Sequence, residues 1–237
     1  MSAPETKVTA ATVVYDRLRS DIINCVLLPA QRLQIEDMAE RYGIGVNPIR
    51  EALNRLSTEG FVEHREQRGF FVRPVSLDEF RQLIHTRCWL DCRALEQSIA
   101  HRTPQWEEAL LHAHNRLAET PQNLDSAEYT VNASWEPLHC QFHHTLCANA
   151  GSTWLTRFCD ELMNQAERYR FLADAHSQTK RNTLDEHKLI VHAAIGGDTT
   201  LACNLLQAHF MRTLNILEER FAGAKEIVVN GIVVCEH

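Results

Sequence analysis

Apolar residues recur every three or four positions along most of this chain, which predicts a largely helical protein. In the first predicted helix, Val14, Leu18 and Ile22 stand four residues apart and share one face. Two strand-like runs interrupt the helical pattern early, and they flank a short basic segment at 65–69. The elements predicted before residue 75 are helices at 8–25, 34–42 and 46–60, and strands at 61–64 and 70–73.

The third predicted helix combines one apolar face with polar residues on its other faces. Its apolar side chains fall together at helical spacing: Ile49, Ala52, Leu53 and Leu56. Asn47 is predicted to cap this helix and Pro48 to occupy its first turn, where a missing N–H costs nothing. A helix, a turn, a second helix and a hairpin with a basic tip follow the order of a winged helix-turn-helix, a module that reads DNA. This predicts a first domain at residues 8–74.

From residue 76 onward the pattern is helical almost throughout. Ser76 and Glu79 have the spacing of a capping box, which predicts the start of a new helix. The helices predicted after it are 77–101, 105–119, 127–149, 152–173, 181–196 and 198–222. Pro137 predicts either a kink in the third of these helices or its true start. Short connections favour antiparallel packing, so residues 76–222 are predicted to form an all-α helical bundle.

The C-terminal tail, residues 223–237, has a different pattern. Asn230-Gly231 separates two β-branched runs, which is typical of a β-hairpin. A lone hairpin is marginally stable in water, so a frayed tail is the alternative. The predicted fold class is mainly α: an α+β winged helix-turn-helix, then an all-α antiparallel bundle, then a possible hairpin.

Charge by itself gives little support for nucleic-acid binding. The net charge is −7, and residues 1–74 hold ten Lys/Arg and ten Asp/Glu, so the rest of the chain carries the whole excess. A neutral module can still meet phosphates through cations placed locally on its surface. No apolar run approaches the ~20 residues that a membrane span needs, so no membrane partner is expected.

The cysteines give no sign of a disulfide framework or a metal motif. There are eight of them and none forms a Cys-x-x-Cys pair. We interpret them as reduced, buried, small apolar residues of a cytoplasmic protein. A redox-sensing role for Cys88 or Cys92 is the alternative, and it requires an electropositive setting around the thiol.

Several motifs in the first domain resemble those of GntR-family transcription regulators of the FadR subfamily. These motifs are Leu28-Pro29-Ala30-Gln31-Arg32-Leu33, Met38-Ala39-Glu40-Arg41-Tyr42-Gly43, Pro48-Ile49-Arg50-Glu51-Ala52-Leu53, Glu59-Gly60-Phe61-Val62 and Arg68-Gly69-Phe70. The resemblance covers roughly residues 8–222 and implies that the bundle is a ligand-sensing domain of the FCD type. It further implies a homodimer on a pseudo-palindromic DNA operator, with a small organic acid as effector.

The resemblance also suggests which residues contact DNA, and two positions depart from the family pattern. Val46 and Glu36 stand where relatives commonly have arginines, so the operator is expected to differ. Arg50 matches the second arginine of the family's recognition helix. Further candidate contacts lie on the helix and on the wing: Asn47, Asn54 and Arg55, and His64, Arg65 and Arg68. For Arg55 the alternative is a solvated charge, and for Arg68 it is a structural role in the wing turn.

Four of the thirteen histidines form a candidate metal site. His139 and His143 are one helical turn apart and share a face, which alone is a weak metal signal. By resemblance, His143, His187 and His209 match three histidine ligands of FCD domains. His139 stands where the family usually has Asp, and its alternative role is packing beside an open triad. Four neutral imidazoles favour Zn²⁺ or Ni²⁺ over harder cations and leave a positive site for a carboxylate.

Two arginines are candidate effector contacts. By resemblance, Arg87 is a carboxylate clamp, and Asp91 one turn later makes a structural ion pair the alternative. Arg168 is a weaker candidate, and Arg170 is the alternative to it. Only one of these two arginines is expected to face the interior of the bundle. Two rival functions remain: a metal-dependent hydrolase with Glu186 as base, and an interaction module that has lost DNA binding.

Overall fold

The computed structural model describes residues 9–124, 132, 134–176, 183–221, 226–229 and 232–235. The chain divides into two compact units: Met1–Ser76 together with Gly223–His237, and Leu77–Ala222. Within the described residues, no helix is both long enough and apolar enough to cross a bilayer.

The N-terminal unit is a winged helix-turn-helix, as the sequence predicts. Its elements are α1 (Ala10–Ile23), β1 (Arg32–Leu33), α2 (Ile35–Tyr42), α3 (Val46–Thr58), β2 (Val62–Arg65) and β3 (Gly69–Val72). The strands form an antiparallel sheet in the order β1-β3-β2, with Leu33 opposite Phe70. The sequence does not predict β1, because two residues are too short to show an alternating pattern.

The core of this unit lies between α1 and α3. Leu18 from α1 and Ile49, Leu53 and Leu56 from α3 are completely buried. Burial of each such side chain stabilises the fold by about 1.5–3 kcal/mol. The opposite side of α3 therefore stays free to face a partner.

The predicted cap of α3 is wrong. The helix begins at Val46, and its N-cap is Gly45, which offers no side chain for a capping hydrogen bond. Gly43 adopts a left-handed φ of 64° after α2, and α3 begins one residue before the predicted cap. Glycine is itself an accepted N-cap, and Asn47 is left exposed inside the first turn.

The second unit is a bundle of long helices, which confirms the predicted all-α class. Its described helices are α4 (Leu77–Ala100), α5 (Pro104–Ala118), α6 (Trp135–Cys147), α7 (Thr153–His176), α8 (Thr183–Ile195) and α9 (Thr199–Phe221). Helix α6 begins two residues before Pro137, so this proline marks the start of the helix. The earlier part of the predicted helix, residues 127–131, lies outside the described residues.

Specific contacts fix α5 against α6, and α6 carries two of the candidate ligands. Thr103 caps α5 by accepting a hydrogen bond from the Trp106 amide at 3.2 Å. The indole N–H of Trp106 then donates to the Thr145 carbonyl of α6 at 2.8 Å. Helix α4 packs along α9 and α7, which closes the bundle around the buried face of α6.

The tail forms two strands, β4 (Glu226–Val229) and β5 (Ile232–Cys235). They pair antiparallel, with Val229 opposite Ile232. The two predicted strands are therefore present, and the Asn230-Gly231 turn between them lies outside the described residues.

The cysteine side chains that the structure describes are free thiols, and most are buried. Cys88 is half-buried, and burial raises the pKa of its thiol to about 11. This environment disfavours the reactive thiolate, which weakens the redox interpretation of Cys88.

Candidate metal centre and DNA-reading face

Four histidines from three helices converge inside the bundle. His139 and His143 come from α6, His187 from α8 and His209 from α9, and all four side chains are buried. One candidate ligand atom from each lies within 4.8 Å of the others. The sequence spacing relates only the two histidines of α6, and packing of α8 and α9 brings in the rest.

The spacing of the ring nitrogens is close to that of a shared metal ion. The Nε2 atoms of His139 and His143 are 3.1 Å apart. Imidazole binds Zn²⁺ at ~2.0–2.1 Å, so ligands on one ion are at most about 4.2 Å apart. The His139–His143 pair already meets this limit, and the four candidate ligand atoms all lie within 4.8 Å of one another. The residues present therefore fit a four-coordinate cation.

Glu186 orients one of the four rings. His209 Nδ1 is 2.8 Å from Glu186 Oε2, so an N–H at Nδ1 donates to the carboxylate and Nε2 keeps its lone pair. Arg212 bonds to the other oxygen of Glu186. Carboxylates that hold a ligand histidine in this way fix its tautomer and orientation.

Glu136 plays a related part at His139, and sequence reasoning missed it. Its Oε1 lies 3.5 Å from His139 Nδ1 and pairs with Arg170 as well. The indole of Trp135 stacks on the His139 ring at 4.5 Å and restricts its rotation. The available signal was the Glu-x-x-His spacing at 136 and 139, which places both side chains on one helix face.

Electrostatics favour neutral imidazoles in this cluster. Burial lowers the pKa of His143 well below the usual value, and the neighbouring histidines lower it further. A neutral ring presents a lone pair to a cation, whereas a protonated ring cannot. The centre is thus a cluster of four buried histidines that is able to hold a metal ion.

A small cavity opens beside the histidines. Its lining comes from α4, α6, α7 and α9 and includes Arg87, His139, His143, Arg170 and His209. It therefore joins nitrogen donors for a metal with guanidinium groups for an anion.

Arg87 lies in this cavity but already has a carboxylate partner. Its Nε is 3.2 Å and its Nη2 3.1 Å from Asp91 Oδ2, and its guanidinium stands 4.0 Å from the Phe210 ring centroid. The structural ion pair that the sequence offered as an alternative is present. The pair holds the guanidinium in place at the cavity wall.

Arg168 and Arg170 are both buried, although the sequence leads us to expect only one of them inside. Arg170 lines the cavity and is held by Glu136. Arg168 is not among the lining residues, and its Nη2 lies 4.0 Å from Glu79. The geometry therefore places Arg170, rather than Arg168, beside the histidines.

The N-terminal unit presents the other candidate surface. Asn47, Arg50 and Asn54 are exposed on α3, on the side away from the core. Arg50 and Asn54 also line a groove that contains His64 of the wing and Glu36 of α2. The helix face and the wing thus form a candidate DNA-reading face, which we define by Asn47, Arg50, Asn54 and His64.

Two of the remaining predicted DNA contacts, Arg55 and Arg65, have side-chain partners inside the unit. The Arg55 guanidinium lies 3.9 Å from the Tyr15 ring centroid, and Arg65 lies over Phe71 at 4.3 Å and pairs with Glu63. The Arg68 amide donates to the Arg65 carbonyl at 3.0 Å within the wing turn, while the Arg68 side chain is exposed.

Comparisons with known proteins agree with this geometry. The family of bacterial regulatory proteins called gntR matches residues 10–72, and the FCD domain matches residues 82–212. The HTH-type transcriptional regulator BphR of Paraburkholderia xenovorans is 33% identical over 86% of this chain and 84% of its own length. The HTH-type transcriptional repressor GlaR of Escherichia coli is 28% identical over 88% of this chain and 96% of its own length.

A solved structure shares the fold. E. coli McbR/YncC superposes with a TM-score of 0.69 at 19% identity, covering 91% of this chain and all of that one. Taken with the helix-turn-helix, the helical bundle and the two matched domains, these similarities confirm the resemblance noted in the sequence. The chain belongs to the GntR family of bacterial regulatory proteins and is a DNA-binding transcription regulator with an FCD domain.

Proposed function

We propose that this regulator is controlled by a small carboxylate that binds beside a divalent metal ion held by His139, His143, His187 and His209. The observation that carries the proposal is the convergence of four buried imidazoles from three helices. Imidazole nitrogens are common ligands of divalent transition metals, and four of them in one place can share a single cation.

The donor set favours Zn²⁺ or Ni²⁺. Imidazole suits borderline transition metals, whereas Mg²⁺ and Ca²⁺ prefer oxygen ligands. Neutral histidines leave the full charge of the ion, and a bound metal supplies a positive centre that polarises an anionic ligand. Glu186 and Glu136 lie behind the ligands and balance only part of that charge.

The effector class follows from the cavity. Arg87 and Arg170 line it together with three of the histidines. Guanidinium groups hold carboxylates through paired hydrogen bonds, and the pocket is small. The charge of the lining therefore matches a small organic acid, and entry of such a ligand requires the lining side chains to move apart. Arg87 and Arg170 are proposed as its contacts, in place of Arg168, which lies near Glu79 outside the cavity lining.

Control of transcription then requires coupling between ligand and operator. We expect a homodimer to place two copies of α3 on half-sites about one helical turn apart. A ligand that binds one conformation of the dimer more tightly shifts the population toward it and so changes operator affinity.

The metal part of this proposal is tested on protein purified from its host. Elemental analysis should find about one Zn²⁺ or Ni²⁺ per chain, because four neutral donors converge on one point. Histidine-to-alanine variants at 139, 143, 187 and 209 should lose it, whereas His144→Ala should keep it, since His144 is exposed on the same helix. Full metal retention by all four variants would contradict the site.

The effector part is tested by calorimetry with a panel of small carboxylates, with and without EDTA treatment. Binding should require the metal and should weaken in Arg170→Met. The same acids should change affinity for the protein's own upstream DNA. Carboxylate binding without any change in DNA affinity would remove the coupling from the proposal.

The rival functions receive less support. The relatives and families that match are transcription regulators, which sets aside the hydrolase. Glu186, the candidate base of that alternative, is engaged by His209 and Arg212. The interaction module that has lost DNA binding is disfavoured by family membership and by the exposed Arg50 on α3.

A further inference from the structure

Val46 is an apolar side chain at the tip of the DNA-reading helix. It is the first residue of α3 and is 42% exposed. The apolar residues of this helix that build the core, such as Ile49 and Leu53, are completely buried on another face. Val46 thus contributes little to the core, and its neighbours Asn47 and Arg50 are exposed and polar.

The position of Val46 matters because recognition helices contact base edges through their N-terminal residues. The major groove presents hydrogen-bond donors and acceptors on every base pair, and one apolar group, the 5-methyl of thymine. A valine side chain has no donor and no acceptor. The thymine methyl is the base feature from which it gains by contact, while Asn47 and Arg50 supply the hydrogen bonds beside it.

We propose that Val46 contacts the 5-methyl group of a thymine in each operator half-site and thereby selects a T·A pair at that position. The inference rests on the proposed operator binding and specifies part of the sequence that is read. Removal of water from two apolar groups drives the contact. Guanine and cytosine offer no such group in the groove, so Val46 disfavours a G·C pair there.

The first experiment identifies the operator with the full-length, metal-containing protein. Bound duplexes are selected from a pool of random sequence by wild type, Val46→Ala, Val46→Arg and the control Val26→Ala. Val26 is also an exposed valine of the same unit, but it lies outside α3. Wild type and Val26→Ala should select the same half-site with one invariant thymine. Val46→Arg should select guanine there, because arginine pairs with guanine through two hydrogen bonds.

The second experiment removes only the methyl group. Each thymine of the selected half-site is replaced by deoxyuridine, which keeps every hydrogen-bonding atom. At one position wild type should lose about fourfold in affinity per half-site, the value of one buried methyl-sized group. The affinity of Val46→Ala should change little when deoxyuridine replaces thymine at that position. Val26→Ala should behave like wild type.

The outcomes separate this inference from the operator proposal. If no deoxyuridine weakens wild type, or if Val46→Ala loses as much as wild type, the Val46 contact is wrong although operator binding stands. If the pool yields no preferred sequence, both operator binding and the contact fall. Equal urea midpoints for the four proteins show that the differences do not come from unfolding.

Discussion

Two carboxylates, Glu186 and Glu136, lie behind the four histidines proposed as metal ligands. Glu186 is bonded to His209 Nδ1 and to Arg212, and Glu136 is shared between His139 and Arg170. Each carboxylate is thus held on one side by an arginine and faces a ligand ring on the other. The Glu186 contact orients the His209 ring, and both carboxylates add negative charge near the cluster.

Replacing Glu186 by Gln should weaken metal binding by about 10–100-fold, because the glutamine keeps the shape and removes the charge that orients His209. Competition with a chelating dye measures the effect. Glu161→Gln is the control, since Glu161 pairs with Arg157 on the exposed face of α7. Equal metal affinities for the two variants would show that Glu186 only packs against the site.

His139 explains the expected choice of metal. His139→Asp should shift the preference from Zn²⁺ and Ni²⁺ toward Mn²⁺, because it exchanges a borderline nitrogen donor for a charged oxygen donor. Competition between metals, read by elemental analysis, checks the shift. His144→Asp on the same helix should leave the preference unchanged, and an unchanged preference in both would rule out His139 as a ligand.

At the scale of elements, α1 and α3 are joined by a polar bridge at the edge of their apolar core. The Tyr15 hydroxyl donates to Glu59 at 2.6 Å, and Arg55 stands over the Tyr15 ring. Burial and Glu59 together raise the pKa of Tyr15 to about 12. This bridge sets the position of the C-terminal end of the DNA-reading helix.

The bridge predicts a loss of stability at high pH. A phenol with a pKa of about 10 when unfolded and about 12 when folded stabilises the fold below pH 10, and this contribution disappears as pH rises from 10 to 12. The difference in urea midpoint between wild type and Tyr15→Phe should therefore shrink over that range. A difference that stays constant from pH 9 to 12 would contradict the bridge.

At the scale of the whole molecule, the net charge of −7 must be reconciled with DNA binding. The N-terminal unit is nearly neutral, and some of its cations, such as Arg55 and Arg65, are engaged by rings or by Glu63. The unit has no broad excess of positive charge, so specific contacts should contribute a large share of operator affinity.

Arg50→Ala should therefore weaken operator binding by about 1–3 kcal/mol while affecting random DNA much less. Titrations over a range of salt concentrations measure both quantities. Arg157→Ala, an exposed arginine of the helical unit, is the control and should change neither. An equal loss on operator and random DNA would make Arg50 a phosphate contact instead.

Local patterns in the sequence determined much of this protein. Helical periodicity placed the other helices within a few residues of their bounds, whereas α6 begins eight residues after its predicted start, and the apolar face of α3 predicted its buried side correctly. These features depend on neighbours three or four residues apart, which the sequence shows directly. The set of four histidines was predicted from the family resemblance, because sequence spacing alone related only His139 and His143.

Only the tertiary structure decided which side chains share the cavity. Arg168 and Arg170 differ by two positions on one helix, and their roles depend on Glu79 and Glu136 from other helices. The cap of α3 likewise depended on the turn at Gly43 rather than on the best capping residue. Partners distant in sequence become neighbours only when the helices pack, and that packing joined four histidines and Arg170 into one site.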